Sequence, residues 1–147
     1  MAEIVFQGTS AIALDGKGRI TVPVRQRDLL MQACDGRLTL TKHPDGYLWV
    51  MPRQRWEATR EHLMSMSMDA DPWRRVFLGS AQDVEIDSAA RILIAPELRA
   101  AAALSKDVLL IGNGRVLELW DAARHAAHEA KLLAQPMPAE IRGFVLR

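Results

Sequence analysis

The chain has 147 residues, of which 49% are hydrophobic and 25% are charged, as in an ordinary globular protein rather than a disordered or fibrous one. It has no apolar run near the roughly 20 residues that span a bilayer and no N-terminal secretory signal pattern, so we expect a cytoplasmic protein. The single cysteine, Cys34, excludes an internal disulfide and a cysteine-rich zinc site.

The formal net charge is only +1, but the charge is unevenly distributed along the chain. Between residues 15 and 27, four basic side chains accompany a single acidic one, which leaves three excess positive charges. These charged residues are Asp15, Lys17, Arg19, Arg25 and Arg27. Such a segment is either a solvated loop and helix with spare arginines or a surface that contacts a phosphate backbone.

The first half of the chain predicts the order strand, strand, helix, strand, strand. Gly16 and Gly18 can adopt positive φ in a tight reversal after the first strand, and Pro23 suits the first turn of a helix. The predicted elements are strand 11–14, strand 19–22, helix 24–34, strand 37–42 and strand 47–51. The two strands after the helix flank a turn at residues 44–46.

Residues 52–80 predict two helices that link this half to the next. The first helix begins at Pro52 and runs toward Met68. Its apolar face is predicted to hold Trp56, Leu63 and Met64. Asp71 is expected to cap a second, shorter helix.

The second half of the chain predicts the same order of elements again. They are strand 84–86, strand 91–94, helix 96–103, strand 108–111 and strand 115–119. The sequence at 112–114, Gly-Asn-Gly, indicates a hairpin, and Asp121 is expected to cap a final helix that ends at Leu133. The short tail that follows is apolar enough to dock against a neighbour. Its apolar residues are Phe144, Val145 and Leu146.

A short sequence that occurs twice accounts for this parallel order. Residues 14–23 read LDGKGRITVP, and residues 86–96 read IDSAARILIAP. In each copy an Asp lies four residues before an Arg, and a β-branched run then ends at a proline that opens a helix. The copies are 72 residues apart (87 − 15), about half of the chain, which indicates a duplicated unit.

The duplicated unit, of about 45 residues, is too small to bury a core of its own, so the two copies are expected to interlock. Within each copy the Asp and the Arg lie at opposite ends of a turn. They are close enough for a charged hydrogen bond that holds the loop and aims the arginine. The pairs Asp15–Arg19 and Asp87–Arg91 can therefore brace their turns, bind a ligand through the arginine, or do both.

These features resemble the MraZ transcriptional regulators, a family built from two SpoVT-AbrB swapped-hairpin domains. The resemblance covers almost the whole chain and is carried by the two D-x-x-x-R motifs at their spacing. Supporting similarity lies at residues 6–8, 56–57, 74–75, 78–79, 93–96 and 118–120. It implies an α+β fold, mainly β, in which tandem swapped-hairpin AbrB-type repeats form one pseudo-twofold, barrel-like core with flanking helices. We expect the two domains at 9–54 and 81–124, a helical linker at 55–80, and a C-terminal helix and tail at 125–147.

The resemblance also implies a function. Members of this family are sequence-specific DNA-binding regulators in the bacterial cytoplasm and nucleoid that act on the promoter of the division and cell-wall gene cluster. Such proteins assemble into rings, so the implied partners are short repeated sites in double-stranded DNA and further copies of the chain. No cofactor, metal, membrane or small-molecule substrate is expected.

The motif positions imply the DNA-binding residues. Carried over by position, they are Asp15, Lys17, Arg19, Asp87 and Arg91. Arg25 and Arg27, on the helix after the first motif, are expected to add contacts to phosphates. The second motif has Ala90 where the family more often has glycine, and it lacks the lysine of the first. Gln7 likewise stands where a basic residue is common. These departures predict that the first repeat makes most of the DNA contacts.

Three other functions are open. An enzyme is disfavoured because the four histidines do not show metal-ligand spacing and no nucleophile motif occurs. An antitoxin-like binding module would be expected to carry a longer acidic extension than the nine residues after Pro138. A structural ring that does not contact DNA is the third alternative.

Overall fold

The computed structural model describes residues 4–145 and has a mixed α+β fold. The first half contains β1 (Thr9–Ala13), β2 (Arg19–Thr21), α1 (Val24–Cys34), β3 (Arg37–Lys42) and β4 (Leu48–Pro52). The linking segment contains α2 (Arg53–Ser65), a short 3-10 helix (Met68–Ala70) and α3 (Asp71–Ser80). The second half contains β5 (Gln82–Glu85), β6 (Arg91–Leu93), α4 (Pro96–Ala101), β7 (Asp107–Asn113) and β8 (Val116–Asp121). Two helices follow, α5 (Ala122–Leu133) and α6 (Ala139–Val145).

The strands form two antiparallel sheets that the halves share. A six-stranded sheet has the order β1-β7-β8-β4-β3-β5, and β2 pairs with β6 in a separate two-stranded ribbon. In the large sheet β1 of the first half pairs with β7 of the second, β5 of the second half pairs with β3 of the first, and β4 pairs with β8. Each half therefore completes the sheet of the other.

The large sheet is open at both edges, so the expected barrel-like core is not a closed barrel within residues 4–145. Its edge strands are β1 and β5. Closure would need β1 to continue pairing with β2, but a single bridge between Leu14 and Ile20 is formed there. Beyond this bridge β2 pairs with β6 instead of extending its pairing with β1.

The main core lies between the two sheets and draws aliphatic side chains from both halves. Ile20 and Ile92 of the ribbon, together with Leu38 and Leu110 of the large sheet, are at most 2% exposed. Burying each such side chain contributes about 1.5–3 kcal/mol. Cys34 packs against this cluster as a half-buried side chain.

Local signals set several boundaries as the sequence predicts. Helix α1 has both predicted ends, and it stops where Asp35 and Gly36 adopt left-handed backbone with φ of 56° and 73°. The predicted cap at Asp121 is confirmed, because its carboxylate accepts a hydrogen bond from the backbone N–H of Arg124 at 3.1 Å. The described helices include none long and apolar enough to cross a membrane.

The linking helices differ from the prediction in three respects. Helix α2 ends at Ser65 rather than near Met68. Met64 is 58% exposed and does not share the buried face of Trp56 and Leu63, because it lies one residue, or about 100° of helical rotation, from Leu63. The predicted cap at Asp71 is wrong: Asp71 is the first residue of α3, and its carboxylate accepts from Arg75 instead, at 2.8 Å.

The C-terminal tail, whose structure the sequence leaves open, contains a helix, α6. Phe144 and Val145 are 69% and 55% exposed, so they do not dock on their own chain. Leu146, which is also predicted to dock, lies outside the described residues.

Candidate nucleic-acid interface

The turn at residues 15–19 is built around the carboxylate of Asp15. Its Oδ1 accepts hydrogen bonds from the backbone N–H groups of Lys17 at 2.9 Å and Arg19 at 2.8 Å. Its Oδ2 accepts from Arg19 Nε at 2.9 Å, which is the predicted brace. The hydrogen bonds from the backbone of Arg19 are the largest cause of the lowered pKa of Asp15.

The turn at residues 87–91 repeats this arrangement with a looser brace. The Asp87 carboxylate accepts from the backbone N–H groups of Ala89 and Arg91, both at 2.9 Å, and these bonds lower the pKa of Asp87. Arg91 Nε lies 3.4 Å from Asp87 Oδ2 and is buried without a hydrogen-bond partner. The second arginine is therefore held by charge attraction rather than by a formed hydrogen bond.

The ribbon of β2 and β6 brings the two motifs together on one surface. Its middle pair, Ile20 and Ile92, is buried in the core. Because successive side chains of a strand point to opposite faces, the flanking residues lie on the outer face. They are Arg19 opposite Leu93 and Thr21 opposite Arg91. Two arginines from distant parts of the sequence thus share one exposed face.

Each turn is also fastened to the opposite half of the chain. The backbone N–H of Ile94 donates to the carbonyl of Gly18, and the N–H of Val22 donates to the carbonyl of Ala90, both at 2.8 Å. These bonds lie just beyond the two ends of the ribbon and are equivalent under the exchange of the halves. The position of each motif is therefore fixed by the other.

The outer face carries excess positive charge and free donors. Lys17 is exposed at the tip of the first turn. Arg19 uses Nε to hold Asp15, whereas its two terminal nitrogens form no hydrogen bond with the described residues. With Arg91 included, three cations face the two carboxylates of the motifs. The face can therefore attract an anion while the carboxylates orient the arginines.

The structure places Arg25 and Arg27 on α1, which begins directly after the ribbon. Arg25 Nη2 donates to the carbonyl of Gln7 at 2.9 Å. Arg27 Nε lies 3.9 Å from a carboxylate oxygen of Asp28. One donor of Arg25 is thus engaged in fastening the N-terminal segment to the helix.

The sequence reasoning missed three residues of this region. Thr21 and Leu93 lie on the outer face of the ribbon, and only the strand register reveals this. The guanidinium of Arg99 covers Gly18 in the first turn. Arg99 follows Arg27 by the same 72 residues that separate the motifs, so the repeat itself contained a signal for it.

Three of the four histidines take part in aromatic packing. His43 stacks on Tyr47 with ring centroids 4.2 Å apart, and burial lowers the pKa of His43. His125 and His128 both pack against Trp120. Within residues 4–145 no cluster of three or more His, Cys, Asp or Glu side chains could hold a metal ion.

Known proteins are similar to this chain over nearly its full length. The family model described as "MraZ protein, putative antitoxin-like" matches residues 5–76 and 77–142. A protein named "Transcriptional regulator MraZ" from Leptothrix cholodnii is 58% identical over 144 residues, which are 98% of this chain and 99% of that protein. Proteins of the same name from Methylibium petroleiphilum and Cupriavidus pinatubonensis are 54% and 53% identical, and the matches cover 98% and 95% of this chain and 99% of each relative.

Proposed function

This chain belongs to the MraZ family of transcriptional regulators, and we propose that it binds DNA sequence-specifically through the outer face of the β2–β6 ribbon. The observation that carries this proposal is the placement of Arg19 and Arg91 on one exposed face, each anchored by an Asp at the start of its turn. In the family's terms, the strand exchange between the halves is the swapped-hairpin arrangement of two SpoVT-AbrB domains. The proposed domains are 9–54 and 81–124, with 55–80 as the linker and 125–147 as the C-terminal helix and tail.

Arg19 is the proposed reader of base edges. Asp15 binds its Nε, so the two terminal nitrogens remain free and directed as a pair. Such a pair matches O6 and N7 of guanine in the major groove. The role of Asp15 and Asp87 is to orient the arginines rather than to contact phosphate, because a carboxylate would repel a phosphate group. Arg91 has the same role in the second repeat.

Lys17, Arg25 and Arg27 are the proposed phosphate contacts. The exposed side chain of Lys17 makes no hydrogen bond or ion pair with residues 4–145, and a flexible ammonium suits a phosphate as a point charge. Arg25 keeps donors beyond the one that it gives to Gln7, because a guanidinium has five N–H groups. These residues supply affinity that depends on salt and not on sequence.

Few base contacts per chain make assembly part of the proposed mechanism. Useful specificity then requires several protomers to read several short repeated sites, as a ring on a division and cell-wall promoter would do. The exposed apolar side chains at the end of α5, in the segment before α6 and on α6 support contacts between copies. They are Leu132, Leu133, Met137, Ile141, Phe144 and Val145. The proposed location is the cytoplasm, at the nucleoid.

The test of DNA binding is Arg19→Ala. Loss of one bidentate base contact is expected to weaken promoter binding about tenfold to hundredfold and to relax the base preference at one position of the site, whereas the slope of log K against log salt concentration reports phosphate contacts and is expected to stay the same. The control is Arg55→Ala, which removes an exposed arginine from α2. Undiminished binding by the Arg19→Ala protein, with the same base preference, would contradict the proposal.

The test of assembly is the mass in solution of a Phe144→Ser variant. The variant is expected to form a smaller assembly than the unchanged protein. Met68→Ser is the control, because Met68 is 88% exposed but lies on the linking segment. Equal masses for all three proteins would rule out α6 as a contact between copies.

A second candidate function is an antitoxin-like binding module. The description of the matching family model favours it, and the exposed apolar side chains of α6 would form the toxin-binding surface. Co-purification of a small partner protein that Phe144→Ser releases would support this function.

A further inference from the structure

The side chain of Arg99, from the second half of the chain, lies directly over Gly18 in the first turn. A Cβ atom at Gly18 would come within 2.7 Å of Arg99 Cζ and 2.9 Å of Arg99 Nε. Gly18 is buried and has a φ of +82°. Glycine adopts this backbone conformation without strain, and its lack of a Cβ leaves the space that the guanidinium occupies.

Arg99 has no polar interaction that would explain its position in another way. Its Nε is buried without a hydrogen-bond partner, and its side chain forms no hydrogen bond or ion pair with the residues that the structure describes. A guanidinium is flat and weakly hydrated on its faces, so it can pack on the peptide units of a close-approaching glycine. Packing against the first turn is therefore the contact that accounts for the position of the Arg99 side chain.

The segment that carries Arg99 is itself fixed against the same turn. The backbone N–H of Ile94, just before α4, donates to the carbonyl of Gly18 at 2.8 Å. Leu98, next to Arg99 on α4, is 1% exposed and anchors the helix in the main core. Gly18 is thus held by a hydrogen bond at its carbonyl and by a guanidinium over its Cα, both from the second half.

We propose that Arg99 is a positioning residue for the first turn. By packing on Gly18 it holds the backbone that presents Lys17 and Arg19, so the second repeat fixes the DNA-reading loop of the first. The effect of Arg99 on DNA binding rests on the proposed function, whereas its effect on the turn does not.

The second turn has a different residue at the equivalent position. Ala90 takes the place of Gly18, and its methyl group occupies the side of the Cα on which a guanidinium would pack. The residue equivalent to Arg99 in the first repeat is Arg27, whose Nε lies 3.9 Å from Oδ1 of Asp28. The second turn therefore serves as an internal reference in an experiment on the first.

The direct test is amide hydrogen exchange in Arg99→Ala. The N–H groups of Lys17 and Arg19 are expected to exchange about tenfold faster than in the unchanged protein, because their bonds to Asp15 open more often. Those of Ala89 and Arg91 are expected to keep their rates. Unchanged rates at Lys17 and Arg19 would overturn the proposal. An equal acceleration at both turns and in β8 would also overturn it, since Arg99 would then support the whole fold.

Two further variants separate packing from charge. Arg99→Lys keeps the charge and is expected to accelerate exchange as Arg99→Ala does, because an ammonium cannot pack as a plane. Full protection in the lysine variant would overturn the proposed packing. Arg124→Ala is the matched control, because Arg124 covers Gly46, another glycine with positive φ, and its loss should leave both turns unchanged.

A DNA-binding measurement distinguishes positioning from direct contact. Arg99→Ala is expected to bind promoter DNA about fivefold to tenfold more weakly with an unchanged slope of log K against log salt concentration. A slope reduced by about one would make Arg99 a phosphate ligand and overturn the positioning role. If the unchanged protein binds no DNA, the proposed function fails, and the exchange rates still decide the role of Arg99.

Discussion

The turns at residues 15–19 and 87–91 make the same backbone hydrogen bonds with different residues. In both, the N–H of the Asp donates to the carbonyl of the Arg at 2.9 Å, and the fourth residue donates back to the Asp carbonyl at 2.9 to 3.0 Å. In both, one carboxylate oxygen accepts two more N–H groups. The sequences between Asp and Arg are Gly-Lys-Gly and Ser-Ala-Ala. The same turn therefore forms with different residues between the Asp and the Arg, provided that the fourth residue adopts left-handed backbone.

What differs between the turns is charge, backbone strain and support. The first has Lys17 at its tip, a full hydrogen bond from arginine to Asp, and Gly18 beneath Arg99. The second has no lysine, a 3.4 Å contact from arginine to Asp, and Ala90 in left-handed backbone with φ of 63°. The two turns therefore have the same shape but different chemistry. This difference would allow the first copy of the repeat mainly to read DNA and the second mainly to support the fold.

The largest expected effect comes from making the first turn resemble the second with Gly18→Ala. The φ of +82° becomes strained, and the new methyl group displaces the end of the flexible Arg99 side chain, so we expect the free energy of unfolding to fall by about 1–2 kcal/mol. Urea denaturation measures the change. A loss below about 0.5 kcal/mol would show that the turn tolerates Cβ and that the guanidinium moves freely.

The next effect compares the two arginines directly. Arg19→Ala is expected to weaken promoter binding about tenfold more than Arg91→Ala, because one bidentate base contact is worth about 1–3 kcal/mol and Arg91 is the less well supported side chain. Fluorescence anisotropy on the same DNA at one salt concentration gives the ratio. Equal losses would mean that the two turns contribute equally to DNA binding, and the prediction that the first repeat makes most of the DNA contacts would be wrong.

A smaller effect is expected from Ala90→Gly, which makes the second turn resemble the first. Relief of left-handed strain at alanine is partly offset by the flexibility of glycine in the unfolded chain, so stability should rise by about 0.5–1 kcal/mol. Thermal unfolding would show it. A decrease in stability would indicate that the methyl group of Ala90, which is 8% exposed, contributes more by packing than it costs by strain.

The smallest effect at neutral pH concerns the Asp residues themselves. Their folded pKa values lie below the ordinary 3.8, so their hydrogen bonds stabilise the turns above pH 3.8 and are lost as the pH falls through the folded pKa. Amide NMR shifts in both turns should be constant from pH 8 to 5 and then change with midpoints below 3.8. We expect the lower midpoint at Asp15, because it also accepts from Arg19 Nε. A lower midpoint at Asp87 would contradict this order.

Elements determined by neighbouring residues could be predicted from the sequence. Helix α1 and strand β3 have the predicted bounds, since Pro23, Gly36 and the alternation in β3 act within a few residues. The braces in both turns follow from Asp and Arg at opposite ends of a tight reversal. At Asp71 the local reasoning failed, because an arginine one helical turn away competes for its carboxylate.

Features that depend on contacts across the chain could not be predicted from local patterns. The shared outer face of Arg19 and Arg91 follows from the β2–β6 register, which no residue near either arginine specifies. The open sheet follows from the short pairing of β1 with β2. Arg99 reaches Gly18 only because the halves are interlocked. Its position in the repeat, 72 residues after Arg27, indicates only that the two arginines are equivalent in sequence.

The exchange of strands between the halves has a consequence for protein synthesis. Thr9 of β1 pairs with Ile111 of β7, so at about 5–20 residues per second the ribosome makes the partner of β1 about 5–20 s after β1 itself. Throughout that interval the backbone groups of β1 lack their partner strand, and the apolar side chains of the first half lack half of their core. A translational pause within α2 or α3 would prolong this exposure. A chain released there would be a substrate for chaperones and proteases rather than half of a working regulator.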